Sequence, residues 1–165
     1  MADSMEHIPS ERRKYLRYDT ELKVYFRVKY DIKTRVRFQV MQDSLEGHSA
    51  HKYAGLCKNV SVEGLCFESK KKLQKGDILL IEVYEPIIKR PVFMDAEVCW
   101  SRKFPKDVRR NTYYTGVRLI SVNDRSVSDS IYFDKNYKVM WSAALDSLFG
   151  SFAAMVRKLK HKHKK

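Results

Sequence analysis

From Leu22 to Tyr30 the chain alternates without a break: Leu22, Val24, Phe26, Val28 and Tyr30 fall on one face, and Lys23, Tyr25, Arg27 and Lys29 on the other. A period of two sends successive side chains to opposite sides of an extended backbone, so this stretch predicts a half-buried strand. Val36, Phe38 and Val40 alternate with Arg35, Arg37 and Gln39 in the same way, and a polar loop containing Gly47 follows over 42–51. A further strand is predicted over 53–58, and short apolar runs over 64–69 and 78–84 predict two more. Val92, Met94, Ala96, Val98 and Trp100 then alternate with Phe93, Asp95, Glu97 and Cys99, and Tyr113, Thr115, Val117 and Leu119 close the series. Gly76-Asp77, Pro86 and Pro105 supply turn or edge residues between the runs. Six or seven short strands with no helical pattern between them predict a mainly β fold, an antiparallel β-barrel.

From about residue 129 the period lengthens to about 3.6. Met140, Ala144, Leu148, Phe152, Met155 and Leu159 form one apolar stripe, with Ser142, Asp146, Gly150 and Ser151 roughly opposite. This predicts a single amphipathic C-terminal α-helix, docked across the barrel mouth or against a second copy of the chain. Three units follow: a polar N-terminal segment over 1–10, the barrel domain over 11–122, and the helix with its basic tail over 123–165.

Composition narrows the class. At 165 residues and 44% hydrophobic, the chain has room for one ordinary domain that buries its own core without a staple. Cys57, Cys66 and Cys99 are odd in number and lack CxxC spacing, which argues against a disulfide framework. The first ten residues hold no apolar run, and the greasiest stretch, 140–156, carries Asp146 and is shorter than the ~20 residues of a spanning helix. The expected compartment is cytoplasmic. The net charge of +13 is not spread evenly: 11–37 carries +6 and 157–165 another +6, leaving the rest nearly neutral. Two basic zones call for two explanations.

Arg13-Lys14-Tyr15-Leu16-Arg17, preceded by Arg12, sets two arginines four apart ahead of the first strand. A guanidinium is a planar fork that pairs with phosphate oxygens, and the same fork matches the O6/N7 edge of guanine. Taken alone, the spacing is common and reads first as a solvated leader. Asn59-Val60-Ser61-Val62-Glu63-Gly64 joins two strand-like runs. Asn and Ser bond their own backbone or a ligand, and Gly permits positive φ or close approach. Such a bend makes a concavity for an anion or a base, though alone it reads first as just a turn.

In this order around a small barrel, the two patterns resemble the PilZ domain family of bacterial cyclic di-GMP receptors, with its RxxxR and [D/N]xSxxG motifs. Arg13 and Arg17 match the first, Arg12 is the frequent additional arginine, and Asn59, Ser61 and Gly64 match the second. Leu65-Cys66-Phe67, Lys75-Gly76-Asp77, Val98-Cys99-Trp100 and Gly116-Val117-Arg118-Leu119 look like further family landmarks. The resemblance implies a six-stranded barrel with cyclic di-GMP clamped at its surface. The arginines would meet phosphates and guanine edges, and the 59–64 turn would wrap a guanine. Trp100 would stack on a base or pack in the core, and Arg118 would add a phosphate contact or stand as an exposed strand arginine. The 42 positions from Arg17 to Asn59 exceed what the family pattern leads one to expect. The excess lies in an extended hairpin and the 42–51 loop, itself a candidate partner-binding feature. The basic leader is expected to order on the ligand, a switch that signals to a downstream protein.

Other classes fit less well. A barrel binding single-stranded nucleic acid would use Tyr25, Tyr113 and Tyr114 beside cations, with an affinity that falls steeply with salt. No GxxxxGK[ST], GxSxG or HExxH pattern occurs, so neither catalysis nor a cofactor is expected. His48, His51 and Cys57 lack a fourth ligand for zinc, and His161 and His163 read as part of a solvated tail. The basic end of the helix, 157–165, is suited to an anionic membrane surface as well as to packing or dimerisation. Nothing in the sequence selects the process that is regulated.

Overall fold

Strand β1 (Arg17–Tyr30) pairs with β2 (Tyr53–Ser61) on one side and β4 (Ile78–Tyr84) on the other. β2 continues to β3 (Gly64–Ser69), β4 to β5 (Pro91–Lys103), and β5 to β6 (Tyr113–Val122). β6 returns to β3 and closes a six-stranded, wholly antiparallel barrel. A short β7 (Arg125–Ser126) extends the sheet beyond β6. Its two-residue turn, Asn123 and Asp124, takes the left-handed conformation that these residue types tolerate best among non-glycines. This computed structural model describes residues 14–30, 52–85, 90–103 and 111–162. The 36–40 alternation, the 42–51 loop with His48 and His51, Pro86, Pro105, Arg12, Arg13 and His163 lie outside the described residues.

The inward faces are those the alternation predicts. Val24 and Phe26 of β1 meet Phe67 of β3, Ile81 of β4 and Met94 of β5 in one buried cluster, with the Phe26 and Phe67 rings 4.8 Å apart. β1 starts earlier than expected. The leader was expected to run to Leu22, but the ladder with β2 takes in Arg17, Tyr18 and Asp19 as well. Pairing with a neighbouring strand extends a strand past its last strongly hydrophobic residue.

The C-terminal segment departs from the single helix. A 3-10 turn (Ser128–Ser130) leads to a hairpin of β8 (Tyr132–Asp134) and β9 (Val139–Trp141). Two helices follow, α1 (Ala143–Phe149) and α2 (Phe152–Lys162). Asp134 explains the hairpin: its Oδ1 accepts the N–H groups of Asn136 at 2.9 Å and Tyr137 at 3.1 Å, a local turn that competes with helix. Met140, expected on the helical stripe, therefore sits in a strand. Gly150, with φ +74°, breaks the helix, and its carbonyl accepts the Trp141 indole N–H at 3.1 Å. α1 buries Ala144, Leu145 and Leu148 against the barrel, while Phe152 of α2 packs edge-on to the fully buried Trp141. Ser142, expected on the polar face, is fully buried. Among the described residues no helix is long and apolar enough to cross a membrane.

Candidate functional site

The β1–β2 ladder carries the site. Arg17 pairs across it with Ser61, and Asp19 with Asn59, so the two sequence motifs occupy adjacent backbones. The same register continues outward: Asn59 pairs with Cys66 on β3, Cys66 with Gly116 on β6, and Gly116 with Trp100 on β5. Five strands thus contribute one transverse row, Asp19–Asn59–Cys66–Gly116–Trp100. Strands are spaced about 4.8 Å apart, so Asn59 and Trp100 stand roughly 14 Å apart along the surface.

Two register irregularities bring this row to the outside. Strict alternation from the buried Cys57 would turn Asn59 inward, but the β2–β3 register shifts between Cys57 and Asn59. Alternation from Val98 would likewise carry Trp100 into the core, and the β5–β6 register shifts between Val98 and Trp100. Bulges re-aim side chains in this way and are over-represented beside functional sites. Of the two readings of Trp100, core packing is therefore incorrect. The indole is half-buried on the outer face and lies over Gly116, where an added Cβ would run into its Cε2, Nε1 and Cζ2 atoms. The guanidinium carbon of Arg102 sits 5.6 Å from the Trp100 ring centroid.

Asn59 and Trp100 flank Cys66 and Gly116 in this row, and the small thiol and glycine leave a depression between them. It is a cleft of about 250 Å³ whose lining includes Arg17, Asn59, Ser61, Gly64, Trp100 and Arg118. Glu63, Cys66, Cys99 and Gly116 also line it, and sequence reasoning did not single out these four as site residues. Gly116 and both cysteines stood inside recognised landmark triplets and quartets, so position was legible where role was not. Arg118 is exposed and donates to Glu97 Oε2 at 2.9 Å, so its charge is already engaged. Arg12 and Arg13 lie outside the described residues.

The 61–64 turn is held through successive carbonyls. Ser61 Oγ donates to the Gly64 carbonyl at 3.4 Å, the Leu119 amide to Glu63 at 2.7 Å, and Ser142 Oγ to Val62 at 2.6 Å. Gly64 has no unusual φ. It is required for close approach, since a Cβ there would lie 3.2 Å from both Ser61 Oγ and the Val117 carbonyl. Lys14, whose ammonium is bonded at Tyr15 and faces Glu63 of the turn, is held above the usual lysine range. Burial pushes the Cys66 thiol up, and the Arg17 guanidinium pulls it partly back. Cys57, beneath Asn59, is pushed up to about 12 by burial and by Cys66.

The arrangement suits a flat, anionic, hydrogen-bonding ligand: a fork-shaped cation, an amide, a hydroxyl, a tight backbone bend and an indole surface share one cleft. The tyrosines weighed for nucleic acid do not share a face. Tyr25 is on β1 and Tyr113 and Tyr114 are on β6, three strands away in either direction round the barrel. Among the described residues no cluster of His, Cys, Asp and Glu is placed to hold a metal ion.

No curated protein sequence matches the chain. Among solved structures it is similar to the inhibitor of motility MotI/DgrA of Bacillus subtilis, with 17% identity and a TM-score of 0.47 over 68% of this chain. The chain spans 44% of that structure's length. It is also similar in fold to the PilZ domain of YcgR from Escherichia coli, a structure with c-di-GMP, with 14% identity and a TM-score of 0.51 over 93% of this chain and 98% of that one. The family model for the PilZ domain matches residues 11–133, a span that holds the whole barrel and both motifs. The chain belongs to the PilZ domain family.

Proposed function

We infer that this protein is a cyclic di-GMP receptor, a binding module and not an enzyme, that passes its ligand state to a partner protein. The observation that carries the reading is the direct pairing of Arg17 with Ser61 at the rim of a cleft that also holds Asn59, Gly64 and Trp100. In this reading Arg17, with Arg12 and Arg13 ahead of it, takes phosphate oxygens and guanine edges. Asn59, Ser61 and Gly64 receive the second guanine on the turn, and Trp100 offers its face to a base. Arg17 is itself fixed in β1, so it takes no part in any ordering of the leader on the ligand.

Calorimetric titration of the full chain tests this. Cyclic di-GMP is expected to bind with a defined stoichiometry, and GTP and GMP far more weakly. No heat with cyclic di-GMP, or equal affinity for GMP, would overturn the reading.

A further inference from the structure

We propose that Ser142, from the C-terminal segment and outside both motifs, is a positioning residue for the dinucleotide site. The proposal rests on the cyclic di-GMP reading and deepens it. Ser142 has no exposed surface, and its hydroxyl donates at 2.6 Å to the carbonyl of Val62, 80 residues earlier. Val62 is the residue between Ser61 and Glu63 in the motif turn, and its side chain is buried. The next two carbonyls along the turn, of Glu63 and Gly64, are held from within the barrel domain, by the Leu119 amide and Ser61 Oγ. The Val62 carbonyl alone among these three depends on the C-terminal segment.

The neighbouring residue makes a second contact with the site's framework. Trp141, fully buried, meets Tyr18 edge-on with ring centroids 5.6 Å apart, and Tyr18 follows Arg17 and pairs with Val60. Two consecutive residues, Trp141 and Ser142, thus grip the two strands that present Arg17 and Asn59–Gly64. Ser142 in turn stands at the head of α1, where the Ala143 amide is held at 3.0 Å by Ser130 Oγ. A shift of the turn by a few tenths of an ångström lengthens a short buried bond, and the start of α1 moves or the bond breaks. Coupling of this kind is reciprocal: what α1 does for ligand affinity, the ligand does for α1. The C-terminal helices are therefore both support for the site and the place where occupancy is felt.

The test uses the full chain in two measurements. Calorimetry compares cyclic di-GMP affinity in the parent, Ser142→Ala and Ser69→Ala. Ser69 is another buried hydroxyl, bonded locally to Lys71 at the opposite end of β3. Ser142→Ala is expected to weaken binding by roughly 3- to 10-fold. Ser69→Ala is expected to lower the melting temperature and leave affinity unchanged. Amide hydrogen exchange on the parent, with and without cyclic di-GMP, is expected to slow over 143–149 when the ligand is bound. Ligand binding slows every amide that exchanges through global unfolding, so the supporting result is slowing over 143–149 beyond that of the β4 amides over 78–84, which a role confined to stability would not give. Equal affinity in Ser142→Ala and parent, or 143–149 amides that slow no more than those over 78–84, would overturn the inference while leaving the receptor reading intact. No binding by the parent would overturn both. The exchange measurement needs no variant, so the inference remains open to refutation even if Ser142→Ala does not fold.

Discussion

Arg17 faces Ser61 across an antiparallel ladder, residue against residue, although 44 positions separate them in the chain. The two halves of the site are consequently held together by main-chain hydrogen bonds that owe nothing to a ligand. What a ligand adds is the engagement of side chains whose backbones are already in place, and preorganisation of this sort reduces the ordering cost of binding.

Arg17→Lys keeps the charge and loses the fork. If paired bonds to phosphate or guanine oxygens matter, its affinity for cyclic di-GMP falls nearly as far as that of Arg17→Ala. The expected loss is roughly 10- to 100-fold for a charge-assisted contact of about 1.5–3 kcal/mol. A lysine variant that titrates like the parent would show that charge alone suffices.

Gly64→Val tests close approach. The Val117 carbonyl belongs to the β6 ladder and cannot retreat, and Ser61 Oγ can do so only by giving up its bond to Gly64. Overpacking of this kind costs about 1–3 kcal/mol. The variant should retain its circular dichroism spectrum, melt lower and bind at least tenfold more weakly, roughly what one such displaced contact is worth.

Gly116→Ala tests the seat of the indole. The added methyl displaces the Trp100 ring, so tryptophan emission should shift to the red and ligand affinity should fall. The second tryptophan, Trp141, is fully buried and reports no change. Unaltered emission and affinity would mean that the ring does not need this seat.

The strands at 64–69 and 78–84 coincide to the residue with the runs read from the sequence. Other features were hidden for physical reasons. A register shift leaves no mark on composition, so the alternation through Val98 pointed Trp100 at the core. Arg17 was read as leader because the apolar alternation begins only at Leu22; its strand exists because β2 is there to pair with. The 132–141 hairpin was masked because Met140 lies four residues before Ala144 and completes a helical series by accident of spacing. Ser142 read as a polar-face residue, and only the fold brings the Val62 carbonyl to its hydroxyl.

Cys57 makes a prediction about alkali. Burial raises its thiol from an ordinary 9.0 to about 12, so the folded chain keeps a proton that the unfolded chain releases. The resulting stabilisation is fully present below about pH 9 and is lost as pH climbs toward about 12. Melting temperature measured against pH should fall less steeply in that window for Cys57→Ala than for the parent. Tyr18, also raised by burial, is common to both chains and drops out of the difference. Parallel curves would remove Cys57 from the account.

The ladder between β1 and β2 also decides where this protein can tolerate a change in length. Arg17, Tyr18 and Asp19 pair residue for residue with Ser61, Val60 and Asn59, so deletion of Tyr18 would move Arg17 to the inward position, whereas the register shift between Asp19 and Leu22 leaves slack for the loss of one residue there. Insertions after Phe26, the last β1 residue paired to β2, leave the Arg17–Ser61 register as it is. Indels in this chain should therefore be sharply lopsided in their effects, ruinous at Tyr18 and without consequence for the Arg17–Ser61 pairing beyond Phe26.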